Sequence, residues 1–195
     1  MNGAKLRERL AKGEAAIMLT PHHASSGLAV RLVELGADAI FVDCEHGTWS
    51  FEDVRVTAQA IRGAGGAAIV RPHSHERPNL IRYLNAGADG LMVPMVDTAD
   101  QARAIVDAVR YACPADYEKR LVIAMIETPR AIDNIDELLA VQGIDVFFIG
   151  PGICPKTWAI HRPLPSDSRG RRRSRRRPIL QSRRFVRPAG SPARL

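Results

Sequence analysis

The chain has 195 residues, enough for one full hydrophobic core, and its 46% hydrophobic and 25% charged residues are the balance of a globular domain. No apolar stretch approaches the roughly 20 residues that span a bilayer, and residues 1–12 have charges spaced through them where a secretory signal needs an apolar centre, so neither class is expected. The net charge of +7 hides two unlike parts: residues 156–195 carry 12 arginines, Lys156 and one acid, Asp167, a net +12 that leaves −5 for residues 1–155.

In chain order, Ala15–Leu19 is a short apolar run and Ser25–Leu35 has helical spacing through Leu28, Leu32 and Leu35. Ala39–Val42 reads as a strand, Phe51–Arg62 as a helix, Ala67–Val70 as a strand, Arg77–Ala86 as a helix and Gly90–Val93 as a strand. Thr98–Tyr111 is then a helix, Leu121–Ile126 a strand, Ala131–Val141 a helix and Val146–Ile149 a strand. Such alternation predicts a parallel sheet with helices outside it. The near repeats Gly36-Ala37-Asp38, Gly87-Ala88-Asp89 and Gly143-Ile144-Asp145 each put a glycine just past a helix and lead into a strand. Repeated joints of this kind point to α/β architecture of the (β/α)8 TIM-barrel family, here incomplete at about six βα units. Three scattered cysteines, Cys44, Cys113 and Cys154, lack metal spacing and suit a reducing cytoplasm better than a disulfide framework.

In a barrel, chemistry collects where strands end. The second strand runs into Asp43, Glu45 and His46, the third into Arg71, the fifth into Glu127 and Thr128, and the sixth into Gly150-Pro151-Gly152. His46 is a candidate general base, with Asp43 or Glu45 to orient it. Arg71 offers a planar fork to a carboxylate or enolate oxygen. Glu127 is a hard oxygen ligand for a divalent cation. Each also has a plainer reading: His46 in a capping loop, Arg71 in a surface ion pair, Glu127 as the cap of the helix that begins at Thr128-Pro129.

The motifs Val42-Asp43-Cys44-Glu45-His46-Gly47, Ile69-Val70-Arg71-Pro72, Leu84-Asn85-Ala86-Gly87-Ala88-Asp89-Gly90 with Val93-Pro94-Met95-Val96, Met125-Ile126-Glu127-Thr128 and Phe148-Ile149-Gly150-Pro151 occur in one order over residues 1–152. In them the chain resembles the HpcH/HpaI family of class II pyruvate aldolases, the 2,4-dihydroxyhept-2-ene-1,7-dioate aldolase-like enzymes of the phosphoenolpyruvate/pyruvate barrel superfamily. The resemblance implies a carbon–carbon lyase that cleaves 4-hydroxy-2-oxo acids to pyruvate and an aldehyde, with a divalent metal (Mg²⁺ or Mn²⁺, also Co²⁺) as cofactor, in a cytoplasmic homo-oligomer without membrane partners. By the same resemblance His46 is the catalytic base, Arg71 holds pyruvate and its enolate, Asp43 is an acid beneath the site, Met125 and Gly152 contact substrate, and Glu127 is a metal ligand.

Three positions depart from the family pattern. Asn85 stands where an acid is common, Met125 where some members have glutamine, and Ile153 where an aspartate should be the second metal ligand. From Lys156 onward there is no apolar periodicity, and the Arg-rich segment 153–195 is expected to be a disordered basic tail. Shifting the reading frame, so that the third base of each codon joins the first two of the next, permits Asp-Leu-Ser from Gly152 onward and forces Gly at Trp158/Ala159. We therefore expect a frameshift at or just before Gly152, a truncated barrel domain over 1–152, and impaired activity. The alternative is a non-catalytic barrel remnant whose tail binds nucleic acid or other polyanions non-specifically through phosphates.

Overall fold

The computed structural model describes residues 3–150. Six strands, β1 (Met18–Leu19), β2 (Ala39–Asp43), β3 (Ala67–Arg71), β4 (Gly90–Val93), β5 (Leu121–Ile126) and β6 (Val146–Ile149), pair in sequence order, every pair parallel. Between them lie α2 (Ser26–Glu34), α3 (Phe51–Gly63), α4 (Arg77–Asn85), α5 (Ala99–Ala112), and α6 (Pro129–Asp133) with α7 (Ile135–Leu139). The result is a curled half-barrel, with β1 and β6 as its edges among the described residues.

Strand parity sorts the core in two, because successive side chains point to opposite faces. Ile40, Val42, Ala68, Val70, Leu91, Val93, Val122, Ala124 and Ile126 pack outward with the helices. The alternate set, Ala39, Ala67, Ile69, Met92, Leu121, Ile123 and Met125, packs inside the curl with Met18 and Phe41. Both sets are apolar, so the strands read as continuous hydrophobic runs, as a sheet covered on both faces requires.

The amino end of the curl is stopped by α1 (Gly3–Ala11), a helix not expected from the sequence. Leu6 and Leu10 enter the inner core. A Cβ at Gly3 would collide with the carbonyls of Lys119 and Asp89, so only glycine allows this approach. Arg7 donates to the carbonyls of Glu118 and Arg120 and pairs with Asp145 at 2.7 Å.

The three Gly-x-Asp repeats form one recurring joint. Gly36, Gly87 and Gly143 have φ of 107°, 101° and 96°, the left-handed region that glycine enters without strain. Each aspartate then makes a two-point clamp on the residue at the foot of the preceding strand. Asp38 N–H donates to Ile17 O (2.9 Å), Asp89 N–H to Ala68 O (2.8 Å) and Asp145 N–H to Val122 O (2.9 Å). In return the N–H groups of Ile17, Ala68 and Val122 donate to the three carboxylates at 2.8, 3.0 and 2.8 Å. An arginine attends each carboxylate: Arg9 at 2.9 Å, Arg62 at 3.5 Å and Arg7 at 2.7 Å.

The expected helix over 131–141 is two short helices hinged at Asn134, which caps both. Its side-chain amide donates to Asp97 O at 2.9 Å, and that tether turns the chain there. The apolar run 15–19 supplies only a two-residue strand.

Candidate active site

β2 and β3 lie in a register that sets Asp43 opposite Arg71, both on the inward face at the carboxyl end. Arg71 Nε donates to Asp43 Oδ1 at 2.8 Å and Nη2 to Oδ2 at 2.6 Å, a bidentate pair. Nη1 lies 3.1 Å from Glu45 Oε2. Asp43 Oδ1 also accepts from the backbone N–H groups of Glu45 (3.1 Å) and His46 (3.2 Å), curling the loop over its own carboxylate. Gly47 N–H closes the turn on Asp43 O at 3.0 Å, and a Cβ at Gly47 would strike that carbonyl. Burial alone would raise the Asp43 carboxyl. The Arg71 guanidinium and the two loop N–H groups outweigh it and hold that carboxyl below the usual range. Burial works against the Arg71 cation too, but its bonds to Asp43 and the charges of Asp43, Glu45 and Glu127 raise it, so it stays charged. With only 13% of its side chain exposed, the guanidinium is fixed rather than free to roam.

Two residues beyond Met125, Glu127 continues the inward series of β5. Its Oε2 accepts the N–H of Met95 at 3.2 Å. Met95 has φ of 55°, a left-handed conformation uncommon outside glycine. Gly150, next to Glu127 across the β5–β6 register, leaves room for it: a Cβ there would sit 3.0 Å from Oε1.

Arg71 and Glu127 are polar groups of one hollow of about 340 Å³, shared with Thr20 and walled by Met18, Phe41, Met92, Met125 and Phe148. A fixed cation in a mostly apolar pocket suits a small carboxylate or enolate, which it would hold by paired N–H donors. A second hollow of about 360 Å³ lies on the outer surface along α5, near Arg103 and Arg110 and away from the strand ends.

Of the residues expected from sequence, Asp43 and Arg71 are joined, and Arg71, Met125 and Glu127 meet at the hollow. His46 does not: its side chain is 72% exposed, its Nε2 is 3.8 Å from Glu45 Oε2, and it does not line the hollow. Asn85 ends α4 at the amino end of the sheet, opposite His46 in the same chain. Gly152, Ile153 and the basic tail lie outside the described residues. Thr20, Phe41, Met92 and Phe148 were missed. Counting in twos along each strand back from the polar ends would have found Phe41, and the same parity from Glu127 gives Met125 and Ile123.

For a divalent ion the described residues fit poorly. Asp43 and Glu45 are engaged by Arg71, and no group of three His, Cys, Asp or Glu among the described residues could hold a metal. Glu127 alone offers one carboxylate against the six or so oxygens a hard cation takes. Also among the described residues, no helix is long and apolar enough to cross a membrane.

Residues 17–152 match the family described as HpcH/HpaI aldolase/citrate lyase. The 2-keto-3-deoxy-L-rhamnonate aldolases of Escherichia coli O157:H7 and Shigella dysenteriae serotype 1 are each 33% identical over 74% of this chain. The chain spans 63% of the length of these curated relatives. Among solved structures, a HpcH/HpaI aldolase/citrate lyase family protein from Burkholderia cenocepacia J2315 is similar at TM-score 0.69 and 25% identity, over 76% of this chain and 69% of that one. The citrate synthase SbnG is similar at TM-score 0.68 and 26% identity, over 74% and 64%.

Proposed function

Because the chain belongs to the HpcH/HpaI aldolase/citrate lyase family, we propose that its hollow receives a 2-oxo acid of the pyruvate type and that its ancestral chemistry is aldol cleavage of 4-hydroxy-2-oxo acids. The observation that carries this is Arg71, a guanidinium locked by two carboxylates and facing an apolar pocket. In cleavage a base takes the proton of the 4-hydroxyl, the C3–C4 bond breaks, C4 leaves as an aldehyde, and the electron pair passes into the pyruvate enolate, which takes a proton at C3. Arg71 would hold the carboxylate or enolate oxygen, where preorganised positive charge lowers the barrier. Met92, Met125 and Phe148 would exclude water from the enolate. His46 would be the proton carrier, turning in from its exposed loop once substrate displaces its contact with Glu45.

A divalent ion, when bound in this family, would polarise the 2-oxo group. Among the described residues Glu127 is the carboxylate of the hollow that would hold it, and the side chain of Ile153 has no ligating atom to join it. The expectation is a chain that binds pyruvate yet turns over slowly. The test is pyruvate release from 2-keto-3-deoxy-L-rhamnonate, with and without Mn²⁺, beside calorimetric binding of pyruvate. Binding lost in Arg71→Ala supports the proposal, and no binding by the parent chain overturns it. Fast, Mn²⁺-stimulated turnover would overturn the expectation of impairment.

A further inference from the structure

A guanidinium has five N–H donors, and in Arg71 three of them are directed at Asp43 and Glu45. The two that remain are those an anion in the hollow would take. A rival is already present, because Glu127 lines the same hollow. A carboxylate and a guanidinium in a mostly apolar space attract each other, and a closed pair would fill the anion site with the protein's own charge. Among the described residues, however, the ion pairs of Arg71 are with Asp43 and Glu45, and none joins it to Glu127. The two are near enough for the charge of Glu127 to raise the guanidinium, so their separation has to be maintained.

What holds Glu127 is the loop between β4 and α5. Its Oε2 accepts the Met95 N–H at 3.2 Å. Met95 presents that N–H from a left-handed backbone, φ 55°, which a methionine keeps only where its surroundings impose it. The next residue is tied as well, Val96 N–H donating to Met125 O at 3.2 Å. Asp97 then fastens the loop at each of its polar groups. Its N–H donates to Gln101 Oε1 at 2.8 Å, its carbonyl accepts the side-chain amide of Asn134 at 2.9 Å, and its carboxylate accepts the Thr128 hydroxyl at 2.5 Å. Thr128 directly follows Glu127, and its oxygen accepts the Ala131 N–H at 3.0 Å as the cap of α6. The loop that carries Met95 and the strand end that carries Glu127 are therefore bolted together beside the bond between those two residues.

We propose that Asp97 is a positioning residue for the anion site: with Thr128 it braces the β4–α5 loop, so that Met95 holds the Glu127 carboxylate off Arg71 and leaves the guanidinium open to a 2-oxo acid. Asp97 does not line the hollow and acts on the ligand only through Met95 and Glu127. The ligand is that of the 2-oxo acid reading, on which this inference rests.

Calorimetric affinity for oxalate, a planar analogue of the pyruvate enolate, is measured in metal-stripped buffer. The proteins are the full 195-residue chain, Asp97→Ala, Thr128→Val and Glu127→Gln, with Glu127→Gln also combined with each of the other two. Circular dichroism checks that each is folded. Asp97→Ala removes the brace and keeps the cap of α6, whereas Thr128→Val removes both. Without the brace Glu127 closes on Arg71 and competes with the ligand, so affinity should fall about fivefold, the value of one solvent-accessible ion pair. Glu127→Gln removes the competitor and should bind at least as tightly as the parent. In the Glu127→Gln background, losing Asp97 should then change affinity by less than about twofold. A merely structural role would weaken binding whatever stands at position 127, so a fivefold loss that persists beside Glu127→Gln overturns the proposal. Unchanged affinity in Asp97→Ala overturns it too. Should Asp97→Ala not fold, Thr128→Val with and without Glu127→Gln makes the same comparison. If neither the parent nor Glu127→Gln binds oxalate, the 2-oxo acid reading falls and this proposal with it. Binding by Glu127→Gln but not by the parent keeps that reading and overturns this proposal, since Glu127 would then already block Arg71.

Discussion

Replacing Asp89 by alanine removes half of the middle clamp, and the structure sets the cost. Ala68 is fully buried, so its N–H, now 3.0 Å from the Asp89 carboxylate, would lose its acceptor where no water replaces it. Stranding a buried donor costs about 1–3 kcal/mol. The Arg62 contact, at 3.5 Å and with half of the arginine exposed, adds no more than about 0.5 kcal/mol. The backbone bond from Asp89 N–H to Ala68 O survives. The expected loss is about 2 kcal/mol, a large fraction of the roughly 5–15 kcal/mol that holds a domain together. Asp89→Asn keeps an acceptor oxygen and should lose about 1 kcal/mol or less. Asp38→Ala is the internal comparison: Ile17 is exposed, water can take over its N–H, and the loss should stay under about 1 kcal/mol. Urea unfolding of the full chain, followed by far-UV circular dichroism, measures all three, with the slope unchanged so that midpoints report stability. Asp89→Ala within about 0.5 kcal/mol of the parent, or an Asp38→Ala loss as large, would refute the burial argument.

Asp43→Asn should destabilise by about 2 kcal/mol at neutral pH, since it removes a charge-assisted bidentate partner while Glu45 remains beside Arg71. The folded carboxyl lies below its ordinary value, so its contribution is whole above the usual carboxylate range and fades as pH falls through the lower folded value. The gap between parent and Asp43→Asn should therefore close on acidification, and a gap that widens would contradict the pairing. Mn²⁺ titration followed by electron paramagnetic resonance should find no tight site in the chain as it stands. A gene re-encoded to read Asp-Leu-Ser and its continuation from codon 153 should acquire one, and sequencing across codons 150–155 should show where the two frames meet.

Strands were legible because both faces are covered: Leu121–Ile126 is six apolar residues and six buried ones, and its bounds hold unchanged. Gly90–Val93 behaves the same way. Helix α1 escaped because its apolar content is little more than Leu6 and Leu10, and what recruits it is the open amino end of the curl, a tertiary feature. Asn134 broke a helix without glycine or proline, through a side-chain bond to a loop 37 positions away in sequence. At the site, Arg71 and Glu127 were legible as polar residues ending apolar runs. The pairing of Arg71 with Asp43 was not, because it depends on the β2–β3 register. The placement of His46 was not legible: a loop residue has no strand parity to fix its direction, and it stands outside the hollow.

The Gly-x-Asp clamps fall between β1 and β2, β3 and β4, and β5 and β6, never between β2 and β3 or β4 and β5. The natural module of this molecule is therefore not one strand with its helix but two, fastened at the foot. Three modules make the described body, and closing a barrel of eight takes a fourth. Growth, loss or recombination that respects the fastening must come in steps of two strands, and a cut inside a module would leave an aspartate with nothing to hold.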